Sequence, residues 1–215
     1  MYFQNLKRTT LNWNNILSII ALVTGTLGVW LTIRQTIWCW PFALISVLTS
    51  IISFYEVRLY GDMSLQIFYF FAGVYGWVYW KKKDKEVFII TKMPKRFLYV
   101  AILITGIQSV IYYFILINVP VIVYFFEVIF SIASLHQLPP WASNPLFDAI
   151  LTACSITVTY MMTKKWLENW ILWVLIDSAY VVLYGIKFMW LFAILNLFFT
   201  IIAFYGWLKW RKEAV

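Results

Sequence analysis

The sequence predicts an all-α membrane protein with seven transmembrane helices, arranged as two parallel three-helix repeats joined by one linker helix (3+1+3). The first observation behind this prediction is composition: 63% of the 215 residues are hydrophobic and 12% are charged. An ordinary soluble domain has about 25% charged residues. The second is that apolar runs of about 20 residues recur along the chain, each long enough to cross a hydrocarbon core of about 30 Å as a helix. The third is an internal repeat.

Seven apolar runs give the predicted helices. They lie at 15–33, 39–56, 64–80, 97–118, 146–163, 170–186 and 190–208. The segment 119–138 has a marginal length for an eighth span and contains Pro120 and Glu127. We interpret this segment as an extension of the fourth helix followed by an outer loop or an interfacial helix.

The distribution of Lys and Arg favours seven spans over eight. Cytoplasmic loops of membrane proteins are enriched in basic residues, which also explains the net charge of +8 without a nucleic-acid partner. With seven spans, most of the 17 basic residues fall on one side, whereas an eighth span divides them almost evenly. The larger group is Arg34, Lys81, Lys82, Lys83, Lys85, Lys92, Lys95, Arg96, Lys164, Lys165, Lys209, Arg211 and Lys212. We therefore predict an outside N-terminus and a cytoplasmic C-terminus.

The internal repeat is seen in "AGVYGWVYWKK" at 72–82 and "IAFYGWLKWRK" at 202–212. Without gaps, 34–82 aligns with 164–212 and matches Trp40 to Trp170. The alternative explanation is that aromatic and basic residues recur at helix ends wherever a helix meets a membrane interface. That would explain the shared Trp and Lys residues, but it explains the shared Tyr-Gly-Trp order less readily. Two units pointing the same way need an odd number of connecting spans, so we predict repeats at 12–83 and 140–213 around a linker at 84–139. Transporters with parallel repeats bind substrate between the repeats near the midplane.

Helices 3, 6 and 7 carry polar and aromatic side chains on single faces. Asp177 falls near the middle of its span, where a carboxylate is costly and usually faces a cavity or a partner. Gln66 and Asn196 occupy equivalent repeat positions. Helix packing is the alternative explanation for each of these stripes. The candidate ligand-binding residues are Gln66, Trp40, Tyr69, Asn169, Trp173, Asp177, Tyr184 and Asn196.

The chemistry of these residues indicates a type of ligand. Aromatic rings with a carboxylate suit a flat cationic molecule, and the amides suit a carboxamide or sugar hydroxyls. A phosphorylated ligand would need buried Arg or Lys, and no predicted span carries one deeply. The sequence has no phosphate loop, catalytic triad, dinucleotide fingerprint or metal cluster, so we expect no enzymatic activity, no cofactor and no metal.

Two segments resemble the PnuC-type nicotinamide riboside transporters. They are "WPFALISVLTSIISFYEVRLYGDMSLQIFYFFAGVYGWVYW" and "MMTKKWLENWILWVLID". The most specific elements are Trp40-Pro41, Leu59-Tyr60, Gln66, Tyr75-Gly76-Trp77 and Glu168-Asn169-Trp170 with Trp173. The resemblance implies uptake of nicotinamide riboside, an NAD precursor, across the bacterial inner membrane. It also implies a fold similar to SWEET sugar transporters, facilitated diffusion and a homotrimer.

We therefore expect a nicotinamide riboside transporter that works by alternating access. One alternative is proton-coupled transport of another small aromatic or cationic nucleoside or vitamin, with Asp177 or Glu168 as the titrating group. The other is a membrane receptor or scaffold that does not move solute.

Overall fold

Seven helices make up the fold in the computed structural model, which describes residues 2–56, 60–83, 89–129, 145–186 and 190–214. They are α1 (Tyr2–Ile33), α2 (Cys39–Glu56), α3 (Tyr60–Lys83), α4 (Lys95–Ile129), α5 (Pro145–Thr163), α6 (Glu168–Ile186) and α7 (Trp190–Glu213). An isolated β-bridge joins Thr91 to Trp166, and the described ranges otherwise contain helices and their connections. The predicted all-helical fold with seven helices is confirmed.

Within the described ranges, five helices contain a stretch long and apolar enough to cross a membrane. These stretches are Ile16–Ile33, Lys95–Asn118, Pro145–Thr163, Glu168–Ile186 and Ala193–Glu213. The apolar part of α2, Cys39–Tyr55, is shorter. The chain is therefore a multi-pass membrane protein.

Helix α4 settles part of the ambiguous segment at 119–138. It continues without a break to Ile129, over 35 residues, so the first part of that segment extends the fourth helix. At 1.5 Å per residue such a helix is about 52 Å long, well beyond the hydrocarbon core. Residues 130–138 lie outside the described residues.

The helices pack mainly with their neighbours in sequence. Contacts run from α1 to α2 to α3 and from α5 to α6 to α7, and these two groups meet where α3 contacts α5 and α1 contacts α7. Helix α4 packs on α5, where the hydroxyls of Thr105 and Thr157 lie 2.7 Å apart. No residue of the apolar stretch Lys95–Asn118 is buried, so α4 lies on the outside of the bundle.

The outer surface of the bundle is apolar, as a lipid-facing surface must be. Large side chains such as Phe71, Leu175 and Ile201 are exposed. The interior instead concentrates tryptophan: Trp170 and Trp210 are fully buried. Trp170 lines a cavity between the two groups of helices.

Candidate functional site

Two pairs of tryptophans pack edge to face at equivalent places in the chain. The ring centroids of Trp40 and Trp80 are 5.4 Å apart, with an interplanar angle of 90°. Those of Trp170 and Trp210 are 5.3 Å apart at 86°. The repeat aligns Trp40 with Trp170 and Trp80 with Trp210. Aromatic pairs favour this geometry because the edge of one ring is positive and the face of the other is negative.

A glycine makes room for one ring of each pair, Trp40 or Trp170, which we call the inner ring. A Cβ atom added at Gly206 would lie 2.7 Å from Cε3 of Trp170. One added at Gly76 would overlap the ring of Trp40. The repeated Tyr-Gly-Trp order thus has a packing cause, because only glycine leaves space for the tryptophan of the neighbouring helix.

The other ring of each pair, Trp80 or Trp210, is the outer ring, and its indole N–H donates a hydrogen bond to the other group of helices. Nε1 of Trp80 in α3 donates to the carbonyl of Thr163 at the end of α5, at 3.0 Å. Nε1 of Trp210 in α7 donates to the carbonyl of Ile33 at the end of α1, at 3.2 Å. Ile33 and Thr163 directly precede the two aligned segments, so they are equivalent as well. The two bonds cross and join the helix groups at one end of the bundle.

The turns after α1 and α5 meet at this same end. Gln35 and Lys165 have φ angles of 56° and 53°, a left-handed conformation that is uncommon without glycine. Nζ of Lys165 donates to Oε1 of Gln35 at 3.0 Å and lies 4.7 Å from the ring centroid of Trp80. Gln35 also donates to Glu213 at the end of α7. Side-chain contacts therefore link the turns of both helix groups.

Lys164 adds a further contact between α3 and the turn after α5. Its Nζ donates to the hydroxyl of Tyr75 at 2.9 Å and lies 3.7 Å from the ring centroid of Tyr79. Partial burial lowers the pKa of Lys164, but the hydrogen bond to Tyr75 and the nearby tyrosines, Tyr160 among them, outweigh burial and raise it overall. Lys164 therefore stays charged at neutral pH.

A cavity of about 270 Å³ lies between the two groups of helices. Six helices line it, and none of the described residues of α4 does. The lining residues are Gly25, Gly28, Val29, Thr32, Trp40, Ala43, Ser46, Val47, Tyr69, Gly73, Thr159, Met162, Trp170, Trp173, Asp177, Phe199 and Ala203. This volume is close to the lower end of the range for ligand pockets, about 300 Å³, so the cavity suits a small organic molecule.

Most lining residues come in pairs that are equivalent in the repeat. The gapless alignment of 34–82 with 164–212, continued backwards into α1 and α5, defines these pairs. They are Val29 and Thr159, Thr32 and Met162, Trp40 and Trp170, Ala43 and Trp173, Val47 and Asp177, Tyr69 and Phe199, and Gly73 and Ala203. Equivalent positions of the two helix groups therefore face the same space.

Asp177 is the single acidic residue among the described residues of this lining. It is 9% exposed, and within the described part of the chain no hydrogen bond or ion pair holds its carboxylate. Tyr69 is close enough to interact with it electrostatically. A buried carboxylate without a partner is costly, and a cationic ligand in the cavity would supply that partner.

The structure places four of the predicted site residues in the lining: Trp40, Tyr69, Trp173 and Asp177. Gln66 lies about one helical turn before Tyr69 on α3 and is not part of the lining.

Asn169, Tyr184 and Asn196 are also outside the lining. Asn169 is fully buried; its Nδ2 donates to the carbonyl of Trp166 at 2.5 Å, and its Oδ1 has no hydrogen-bond partner among the described residues. The ring of Tyr184 stacks on Tyr180 with centroids 5.7 Å apart.

Sequence reasoning did not select the remaining lining residues. Trp170 had a signal, because the repeat alignment matches it to Trp40. Gly25, Ala43 and Val47 had none, because small apolar residues look the same in a sequence whether they line a cavity or pack a helix.

Comparison with known proteins finds similarity to PnuC transporters in both sequence and structure. The curated "Nicotinamide riboside transporter PnuC" proteins of Escherichia coli (strain K12) and Shigella flexneri are each 27% identical to this chain over 216 residues, which cover 95% of this chain and 87% of the relative. The solved structure titled "Crystal structure of the Vitamin B3 transporter PnuC" superimposes on this chain with a TM-score of 0.63 at 19% sequence identity. The match covers 99% of this chain and 90% of the chain in that structure. The resemblance seen in the sequence is thus confirmed.

A family model described as "Nicotinamide mononucleotide transporter" matches residues 15–212. The family is one of transporters and not of enzymes. Because the match spans nearly the whole chain, the chain belongs to the nicotinamide mononucleotide transporter family.

Proposed function

We propose that this protein transports nicotinamide riboside across the membrane. The observation that carries the proposal is the buried carboxylate of Asp177, which has no hydrogen bond or ion pair among the described residues and lies in a cavity lined by aromatic rings. Nicotinamide riboside is a planar pyridinium cation with a carboxamide and a ribose. Its charge would pair with Asp177, and its ring would stack on Trp173 or Trp40. The names of the two curated relatives support the same substrate.

The lining favours the riboside over the mononucleotide named in the family description. A phosphate group is normally bound by Arg, Lys or several N–H donors. None of the described lining residues is Arg or Lys. The carboxylate of Asp177 would also repel a phosphate. We therefore infer that the cargo enters without its phosphate.

Flux into proteoliposomes that contain only this protein tests the proposal. We expect saturable uptake of labelled nicotinamide riboside above that of empty liposomes. Excess unlabelled riboside should inhibit the uptake, and the mononucleotide should not. Binding without flux would instead indicate a receptor or scaffold, and equal competition by the mononucleotide would contradict the choice of substrate.

We further propose the 3+1+3 arrangement, with repeats at 12–83 and 140–213 around a linker at 84–139. Three observations support it: the matching tryptophan pairs, the crossed hydrogen bonds, and the paired positions in the cavity lining. The position of α4 outside the bundle fits a linker. Alternating access would then need one repeat to move against the other, opening and remaking the contacts between Gln35 and Lys165.

Facilitated diffusion is the mode of transport we propose. The alternative is proton coupling, for which the candidate group is Asp177, whose carboxylate is buried in the cavity. Glu168 lies outside the lining of the cavity and accepts a hydrogen bond from the backbone N–H of Met93 at 2.8 Å. Uptake measured with and without an imposed pH gradient separates the two modes: a gradient that drives accumulation would establish coupling.

The proposed location is the bacterial inner membrane, with the N-terminus outside and the C-terminus in the cytoplasm. The end of the bundle where the turns meet carries Arg34, Lys164, Lys165 and Lys209, in keeping with a cytoplasmic face. The homotrimer stays a prediction from the family resemblance, and cross-linking in native membranes tests it.

A further inference from the structure

The two faces of the cavity differ in chemistry although they come from equivalent positions. On α5 and α6 the lining includes Thr159, Trp173 and Asp177. At the equivalent positions of the first repeat, α1 and α2 carry Val29, Ala43 and Val47. We call the first set the charged wall and the second the small wall. A ligand in this cavity thus meets a carboxylate and an indole on one side and short apolar side chains on the other.

Helices α1 and α2 are in close contact at the small wall, which leaves no room for them to move closer together. A Cβ added at Gly28 would lie 3.2 Å from the backbone nitrogen of Ala43, and one added at Gly25 would lie 2.8 Å from Oγ of Ser46. Oγ of Ser46 also donates to the carbonyl of Ala21 at 2.7 Å. Since Ala43 and Val47 both line the cavity, we expect volume added to either side chain to enter it.

The charged wall fixes which end of a ligand faces it. Asp177 is buried, lines the cavity and has no hydrogen bond or ion pair among the described residues. Trp173 lies on the same helix, one turn before it, and lines the same space. A pyridinium ring would gain both a counter-charge and a stacking surface there. The substituent on the ring nitrogen would then extend toward the small wall.

We propose that Ala43 and Val47 set the size limit for the substituent on the pyridinium nitrogen, while Trp173 and Asp177 recognise the ring. This inference rests on the proposed function, since it assigns the ribose of nicotinamide riboside to the small wall. Replacing Ala43 by leucine exchanges a methyl group for an isobutyl group that fills the space of the ribose. The ring would keep its contacts with the charged wall.

Binding of two ligands by purified protein tests this division of roles. 1-Methylnicotinamide keeps the pyridinium charge and the carboxamide but has a methyl group in place of the ribose. We expect Ala43→Leu to weaken nicotinamide riboside binding about tenfold or more and to change 1-methylnicotinamide binding less than about twofold. Ala101→Leu makes the same change on α4, which supplies none of the described lining residues, and should leave both affinities unchanged.

A graded series at position 43 gives a second readout that needs the riboside alone. Its affinity should fall in the order Ala43, Ala43→Val, Ala43→Leu. Equal losses for the two ligands, or no loss along the series, would overturn the assignment of the small wall while leaving the proposed function in place. If the unmodified protein bound no nicotinamide riboside, the proposed function itself would fail.

Discussion

Replacing Gly206 by alanine tests whether the packing of Trp170 shapes the cavity. The added methyl group would lie 2.7 Å from Cε3 of Trp170 and 2.8 Å from Cδ2 and Cζ3. Carbon atoms in contact are normally about 3.5–4.0 Å apart, so the ring has to retreat by about 1 Å. On its other side Trp170 packs against Trp210. The cavity, which Trp170 lines, is the free space available.

The cost of this substitution follows from overpacking. Extra carbon atoms in a well-packed core cost about 1–3 kcal/mol, and the better helix propensity of alanine offsets up to about 1 kcal/mol. We therefore expect a net strain of about 1–2 kcal/mol, relieved when the ring moves into the cavity. A ligand has to push the ring back, so the strain reappears as lost affinity. At 1.4 kcal/mol per tenfold change this is a loss of about 5- to 30-fold.

Titration calorimetry with nicotinamide riboside measures the loss. Gly106→Ala is the matched control, because a Cβ added at Gly106 on α4 has no neighbour within 4 Å. That control should bind normally and be at least as stable as the unmodified protein, because alanine favours the helix and meets no neighbour there. Unchanged affinity in well-folded Gly206→Ala protein would refute the argument, since it would mean that the ring of Trp170 does not control the space in which the ligand binds.

Three other predictions concern the counter-charge, an amide and the topology. Asp177→Asn should weaken binding of nicotinamide riboside more than that of its reduced, uncharged analogue; equal losses would make Asp177 a structural residue. Gln66→Ala should weaken riboside binding by about 5- to 150-fold if its amide contacts the ligand, because groups left unpaired cost about 1–3 kcal/mol; unchanged affinity would make Gln66 a packing residue. Cysteines placed at 81–96 should not react with an impermeant reagent added to intact cells, and labelling there would contradict a cytoplasmic location.

Helix positions could be predicted from the sequence because hydropathy is a local property. The second run, at 39–56, coincides with α2. The third, at 64–80, is shorter than α3, which spans Tyr60–Lys83. Its additional residues include Asp62 and Lys81, which are helical although they lie outside the apolar run. An apolar run therefore locates the part of a helix inside the membrane but misses polar turns at its ends.

The candidate site was only partly predictable, for a different reason. Trp173 and Asp177 stand out in an apolar span, and both line the cavity. Gln66 was selected on the same face as Tyr69, yet Tyr69 lines the cavity and Gln66 lies about one turn away. Periodicity identifies the face of a helix, whereas the depth of the cavity along that face depends on how six helices pack.

Identity and difference between the two halves of the chain have different physical meanings. Residues that are the same at equivalent positions include Gly76 and Gly206, and Trp80 and Trp210. The glycines leave space for the inner rings, and the tryptophans donate the crossed hydrogen bonds. The pairs that differ most in chemistry, Ala43 with Trp173 and Val47 with Asp177, face the cavity.

The contacts that hold the two halves together occur twice, as the crossed hydrogen bonds of Trp80 and Trp210 do. Each half makes the same kind of contact with the other. A ligand with one charged ring and one sugar has no twofold symmetry and cannot make the same contacts with both halves. The lining must therefore differ between the halves wherever it recognises the ligand. By this reasoning the positions that diverge within the cavity, rather than those that repeat, are the ones that determine which solute is carried.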